Sequence, residues 1–226
     1  MKRLIIFDMD GTLYPLDAVI PAVYEIQVDF LRKKKGLTRD EAVSFFSDNC
    51  VYPYVAAESH SATRLFQEMG FDLQEWNSFR EARFPIDSVE ASFGVSESLM
   101  AEFGKLGTII LVTSNSRMNV ERILEKLGIG KSCFAQIICN DSVSSEHPFS
   151  KEEVFKRLLD CHSLLRLQTF SIGDRYLTDI EPMLKLGGSG VLVSSPESLP
   201  VVLRDMSDCK LETCNDYRYF PVDGDI

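Results

Sequence analysis

The run Leu4-Ile5-Ile6-Phe7 limits the fold more than any other segment. Four consecutive apolar residues have no polar face. As a strand they need cover on both sides, the condition met inside a parallel sheet with helices on its two faces. The run stops at Asp8-Met9-Asp10-Gly11-Thr12. Side chains at i and i+2 share a face while the chain is extended, and where the chain turns out of the strand two such carboxylates can meet at one point. Held together they repel unless a cation or a shared proton lies between them. The carboxyl end of a central strand in an open α/β sheet is also where ligands bind. Asp8 and Asp10 are therefore candidates for a Mg²⁺-dependent site in which one attacks phosphorus and the other handles protons. The competing reading is a solvated turn that closes a strand.

The remaining pattern supports an α/β chain. Val19, Val23, Ile26, Phe30 and Leu31 fall at helical spacing, with Gly36 as terminator. Thr38-Arg39-Asp40-Glu41 reads as a capping box ahead of a second helix. Further helices are expected from Ser61 to Met69 and from Asp72 to Phe79, and no strand is expected between 16 and 92. That block is read as an all-helical insertion directly after the first strand. Strands are then expected at Thr108–Thr113, Ala135–Cys139, Thr169–Ile172 and Val191–Val193. Helices are expected around Ser96–Phe103, Arg117–Leu127, Glu152–Leu159, Tyr176–Leu186 and Leu199–Arg204. This alternation predicts crossover connections and a doubly wound parallel sheet with helices on both faces. The tail from about Cys214 shows no clear period.

Composition narrows the function classes. The 226 residues suffice for one large domain or a core with an insert, and 45% hydrophobic content argues against disorder. A net charge of −10 disfavours binding to nucleic acid or an anionic membrane. The basic cluster Arg32-Lys33-Lys34-Lys35 ends a helix, where cations complement the dipole. None of the six cysteines forms a C-x-x-C pair or has zinc-site spacing with histidine, so they read as reduced thiols of a cytoplasmic protein. The apolar stretch after Lys2-Arg3 is too short for a signal peptide, and no run approaches the length of a membrane span.

Four strand ends carry chemically pointed residues: Asp8 and Asp10; Thr113-Ser114-Asn115; Gly173-Asp174, with Asp179 following; and a loop holding His147 and Lys151. Singly, each has an ordinary structural reading. Ser-Asn caps helices, Gly-Asp makes turns, and a lysine before a helix is usually solvated. Carboxyl ends of parallel strands share one edge, however, so the four groups should converge.

On these residues the chain resembles the haloacid dehalogenase superfamily of phosphatases and phosphotransferases, over all but its tail. Asp8-Met9-Asp10-Gly11-Thr12-Leu13-Tyr14 matches the first family motif, Ser114-Asn115 the second, and Gly173-Asp174 with Asp179 the fourth. The third motif is a lysine, usually followed by proline, before a helix. Lys151 supplies the lysine but Glu152 follows it, whereas His147-Pro148 has the proline without the lysine. Lys151 is preferred for its permanent charge. Cap length and Leu13-Tyr14 look most like pyrimidine 5′-nucleotidase-type members.

The resemblance implies a Rossmann-like core of residues 1–15 and 93–226 and a helical cap of residues 16–92. It implies Asp8 as the nucleophile of an aspartyl-phosphate and Asp10 as general acid and base. Mg²⁺ would be held by Asp8, by Asp10 through its backbone carbonyl, and by Asp174, with Asp179 orienting the metal shell. Ser114, Asn115 and Lys151 would bind the phosphoryl group. The second carboxylate, Asp10, separates this pattern from dehalogenases and transport ATPases. The expected activity is Mg²⁺-dependent hydrolysis of a small phosphorylated metabolite, with a nucleoside monophosphate among the candidates. Alternatives are a β-phosphoglucomutase-like phosphotransferase and a non-catalytic phosphate-binding regulator. A monomer or homodimer is expected. Candidates for substrate selection in the cap are Tyr24, Tyr52, Tyr54, His60, Arg64 and Trp76, although side chains of these types more often simply pack.

Overall fold

The computed structural model describes residues 3–49, 51, 62–140, 149–162, 168–214 and 216–221. Tyr52, Tyr54, His60 and His147 lie outside the described residues, as does the side chain of Arg64.

The apolar run forms β1 (Arg3–Phe7), with Leu4 to Phe7 fully buried. It occupies the middle of a six-stranded sheet of order β3-β2-β1-β4-β5-β6, made with β2 (Gly107–Val112), β3 (Gln136–Ile138), β4 (Thr169–Gly173), β5 (Ser189–Val193) and β6 (Tyr217–Phe220). The first five strands run parallel. Phe7 lies level with Leu111 of β2 and Ile172 of β4, so three strands release their chains at the same height. Apolar side chains of β1 leave by both faces: Ile5 and Phe7 join one buried cluster, and Leu4 and Ile6 another. Both faces are thus covered, as an all-apolar strand requires.

The sheet departs from the expected all-parallel form at one edge. β6 pairs antiparallel with β5, from Gly190↔Phe220 to Val193↔Tyr217. An edge strand needs only one neighbour and one buried face, so its apolar signal is weak. Tyr217 is buried beside exposed Arg218.

The segment after β1 is helical. α1 (Ile20–Lys35) opens on Pro21, where a missing N–H costs nothing, and closes on left-handed Gly36. α2 (Arg39–Asp48) carries the predicted capping box, Thr38 and Glu41 each satisfying the other's backbone N–H. α3 (Ala62–Glu68) follows, then α4 (Leu73–Glu81), capped by Asp72. These helices bury their own cluster around Phe30, Phe46, Phe66 and Trp76. Phe30 and Trp76 ring centroids are 5.0 Å apart, and Phe66 and Trp76 4.9 Å. Trp76 is therefore cap core, and its indole N–H donates to Thr63 Oγ1 at 2.9 Å. Val19, Phe84 and Val89, inside the segment 16–92, pack instead with the sheet cluster.

Five more helices complete the layers: α5 (Glu97–Leu106), α6 (Arg117–Leu127), α7 (Lys151–His162), α8 (Glu181–Lys185) and α9 (Leu199–Ser207). The helix expected over Tyr176–Leu186 is split. Tyr176–Ile180 forms a π-helical turn and α8 begins after it. Pro182 has no N–H for the Thr178 carbonyl four residues back, which removes the bond that would continue a regular α-helix. Among the described residues no helix is long and apolar enough to cross a membrane.

Candidate active site

Asp8 is the first residue beyond β1, and its N–H donates to Ile172 O of β4 at 2.9 Å. The chain then folds back tightly. Leu13 N–H reaches Met9 O at 2.9 Å and Gly11 N–H reaches Tyr14 O at 3.1 Å. Gly11 has φ +76°, and a Cβ there would collide with the Asp174 carboxylate. The turn thus demands glycine twice, once for its backbone and once for the carboxylate packed against it.

Asp174 follows β4, and the π-helical turn presents Asp179 beside it. A Cβ on Gly173 would collide with Asp179, so this close approach needs glycine. Asp179 is buried and accepts from Arg175 N–H at 3.0 Å and Thr178 Oγ1 at 3.0 Å. Lys151, the first residue of α7, bridges the two sides. Its Nζ lies 2.5 Å from Asp8 Oδ1 and 2.6 Å from Asp179 Oδ1.

Asp8, Asp174 and Asp179 offer carboxylate oxygens that all lie within 4.8 Å of one another. Their electrostatics match that crowding. Burial pushes the Asp8 carboxyl well above its ordinary range; Lys151 opposes this, while Asp179, Asp174 and Asp10 add to it. Asp174 is pushed up to about 7, first by burial and then by Asp179. Burial works against the Lys151 ammonium, but Asp179 and Asp8 outweigh it and hold its pKa above the lysine norm. Asp174 Oδ1 is buried without a hydrogen-bond partner among the described residues. A hard divalent cation suits this all-oxygen donor set, would give that oxygen a partner and would relieve the repulsion. Among the described residues, Asp8, Asp174 and Asp179 are thus the side chains able to hold a divalent cation together.

The Asp10 carboxylate stands outside this cluster. It accepts from the Tyr14 hydroxyl at 2.5 Å on Oδ1, and from Asn115 Nδ2 at 2.8 Å on Oδ1 and 2.6 Å on Oδ2. Asn115 was expected against the phosphoryl group, yet its carboxamide is engaged by Asp10. Its backbone is pinned as well: its N–H donates to Thr113 Oγ1 at 3.1 Å, and its carbonyl accepts from Asn140 N–H at 3.0 Å. Ser114, just beyond β2, is exposed.

A cavity of about 840 Å³ opens over these residues. Asp8, Asp10, Ser114, Asn115 and Lys151 line its floor, and Tyr24, Thr63, Trp76 and Arg80 contribute from the helical insert. Arg80 ties the two parts together. It lies 5.8 Å from the Trp76 ring, and its Nη2 donates to Ser114 O at 3.3 Å. Neither Arg80 nor the role of Tyr14 at Asp10 is predicted above. Arg80 sits in a helix whose sequence shows only amphipathic spacing, and Tyr14 enters the sequence reading only as the end of the first motif, with nothing to say that its hydroxyl turns back onto Asp10.

The Haloacid dehalogenase-like hydrolase family model matches residues 5–192. The chain belongs to that family. Among solved structures, an HAD phosphatase from Thermococcus onnurineus is similar at 18% identity and a TM-score of 0.58, covering 86% of each chain. A predicted phosphoglycolate phosphatase from Haemophilus somnus is similar at 17% identity and a TM-score of 0.55, again covering 86% of each. The HAD-hydrolase YfnB from Bacillus subtilis, bound to magnesium, is similar at 16% identity and a TM-score of 0.53, covering 90% of this chain and 99% of that one. These likenesses establish a shared fold. No curated protein matches the chain.

Proposed function

We propose that this family member is a Mg²⁺-dependent phosphomonoester hydrolase working through an aspartyl-phosphate on Asp8. The observation that carries the reading is the Lys151 ammonium between Asp8 and Asp179, with Asp174 beside them, at the carboxyl edge of the central strands. A buried triad of carboxylates with one lysine is costly to maintain unless it serves a cation and an anionic substrate. Magnesium, when bound by Asp8, Asp174 and Asp179, would neutralise charge on the phosphoryl oxygens.

The chain's own groups do the rest. Asp8 attacks phosphorus as the departing alcohol takes a proton from Asp10. Asp10 then removes a proton from water, which displaces Asp8 from phosphorus. Lys151 holds Asp8 in place and offsets charge on the phosphoryl oxygens, and Ser114 is the floor residue positioned to contact them. The segment 16–92 is proposed as the cap that closes over the leaving group, joined to the core near Tyr14-Pro15 and Phe93-Gly94, while Val19, Phe84 and Val89 pack with the sheet cluster.

The cavity far exceeds the size of a phosphoryl group, which fits a metabolite-sized ester. Tyr24 in its wall supports a nucleoside monophosphate, the substrate of the pyrimidine 5′-nucleotidase-type members that the cap length and Leu13-Tyr14 resemble. The cysteines, read as reduced thiols, support a cytoplasmic enzyme. Hydrolysis of p-nitrophenyl phosphate with Mg²⁺ and with EDTA tests the reading, alongside Asp8→Asn. Turnover should require the metal and fall at least about 10³-fold in the variant. Activity within tenfold of wild type in either arm rejects the mechanism.

A further inference from the structure

We infer that Tyr14 is a positioning residue for the proton-transfer step, holding the Asp10 carboxylate together with Asn115 so that one oxygen faces the leaving group. The inference rests on the phosphatase reading and adds to it a residue and a selectivity.

The geometry is specific. Asp10 Oδ1 accepts two hydrogen bonds, one from the Tyr14 hydroxyl and one from Asn115, and Oδ2 accepts one. A carboxylate oxygen has two lone-pair sites, so among the described residues Oδ1 is fully occupied and Oδ2 keeps one site open. Asp10 lines the cavity. The open site on Oδ2 is therefore the one left to carry a proton toward substrate. The two donors also come from independent directions. Tyr14 returns over Asp10 through the tight turn, and Asn115 arrives from the end of β2. Both are buried, Tyr14 completely, so water does not compete for the carboxylate on that side. The Tyr14 ring is packed in the sheet cluster, which fixes its hydroxyl in space.

The bonds made and broken explain why position matters. In the first step an Asp8 oxygen bonds to phosphorus and the bond from phosphorus to the leaving oxygen breaks, its electron pair staying on that oxygen. The proton on Asp10 passes to the same oxygen, leaving a carboxylate that Tyr14 and Asn115 already stabilise. In the second step water gives a proton to Asp10, its oxygen bonds to phosphorus, and the bond to Asp8 breaks. A leaving alkoxide needs the first proton transfer, whereas p-nitrophenolate departs without it. The value of kcat/KM covers only the steps through phosphoryl transfer to Asp8, so comparing the two esters isolates the acid.

Ethyl phosphate and p-nitrophenyl phosphate are the probes, assayed with Mg²⁺ on wild type and Tyr14→Phe. General-acid catalysis contributes about 10²–10⁴-fold. Losing one of the bonds that aim the acid should lower kcat/KM for ethyl phosphate about tenfold more than for p-nitrophenyl phosphate. Asn115→Ala should shift the ratio the same way, and it carries the comparison if Tyr14→Phe does not fold. Equal losses on both esters in the folded variants overturn the positioning role and leave the phosphatase reading standing. A wild type that hydrolyses neither ester overturns both.

Discussion

Replacing Lys151 with methionine keeps the stem and removes the charge. The ammonium sits 2.5 Å from Asp8 and 2.6 Å from Asp179, and the side chain is 11% exposed. At an effective dielectric near 20, each contact represents roughly 6 kcal/mol of gross attraction, most of it cancelled by the cost of burying three charges. Deleting one partner of such a buried group typically costs about 3–5 kcal/mol, because the carboxylates are left uncompensated. In a chain of this size that lowers Tm by roughly 6–20 °C. The loss should depend on pH. Lys151 holds the Asp8 carboxyl down, so its removal raises that folded pKa further above the unfolded value. A carboxyl raised on folding contributes stability that is complete below its unfolded pKa and is lost as pH rises through its folded pKa. The deficit of Lys151→Met should therefore be large at pH 8 and much smaller at pH 5. Thermal unfolding followed by circular dichroism in EDTA measures both, and kcat should fall by about 10²-fold in parallel. A deficit under about 1 kcal/mol at pH 8, or one equal at both pH values, refutes the argument.

Wild type in EDTA should lose roughly 2–4 kcal/mol of stability as pH rises from about 4 through about 7, because the buried Asp174 carboxyl must ionise there; saturating Mg²⁺ should flatten the slope, and a flat profile in EDTA counts against the raised Asp174 pKa. Trp76→Ala should destabilise by about 3–5 kcal/mol in guanidinium unfolding, since it is 1% exposed among Phe30 and Phe66; a stable variant with only altered ester preference would make its edge on the cavity, and not its packing, the part that matters.

The strand ends were legible because an apolar run that stops at a polar residue marks both a buried strand and its exit. Asp8, Ser114 and Asp174 are each read this way, and the parallel sheet brings them together by topology alone. Three features were not legible, each for its own reason. One turn of π-helix has nearly the spacing of an α-helix, so Tyr176–Leu186 reads as a single helix until Pro182 is weighed. β6 is an edge strand of four residues, too short for its alternation to stand out. The partners of Asp10 depend on a turn that closes Tyr14 back over it and on a neighbouring strand that brings Asn115 across, and no periodicity encodes either approach. Lys151 was legible only through the resemblance and the chemistry of a permanent charge, since the proline expected after it is replaced by Glu152.

The order of strands has a consequence for synthesis. Leu4 pairs with Thr108 on one side and Thr169 on the other. At roughly 5–20 residues per second, the second partner is made about 10–30 s after the first strand. Throughout that interval the apolar run of β1 has no complete place to go, while α1 to α4 can already bury their aromatic cluster against one another. The helical insert should therefore compact first on the ribosome, and the strand that ends at Asp8 should be among the last elements locked in. Chaperone demand should peak before β4 emerges and drop sharply once it does.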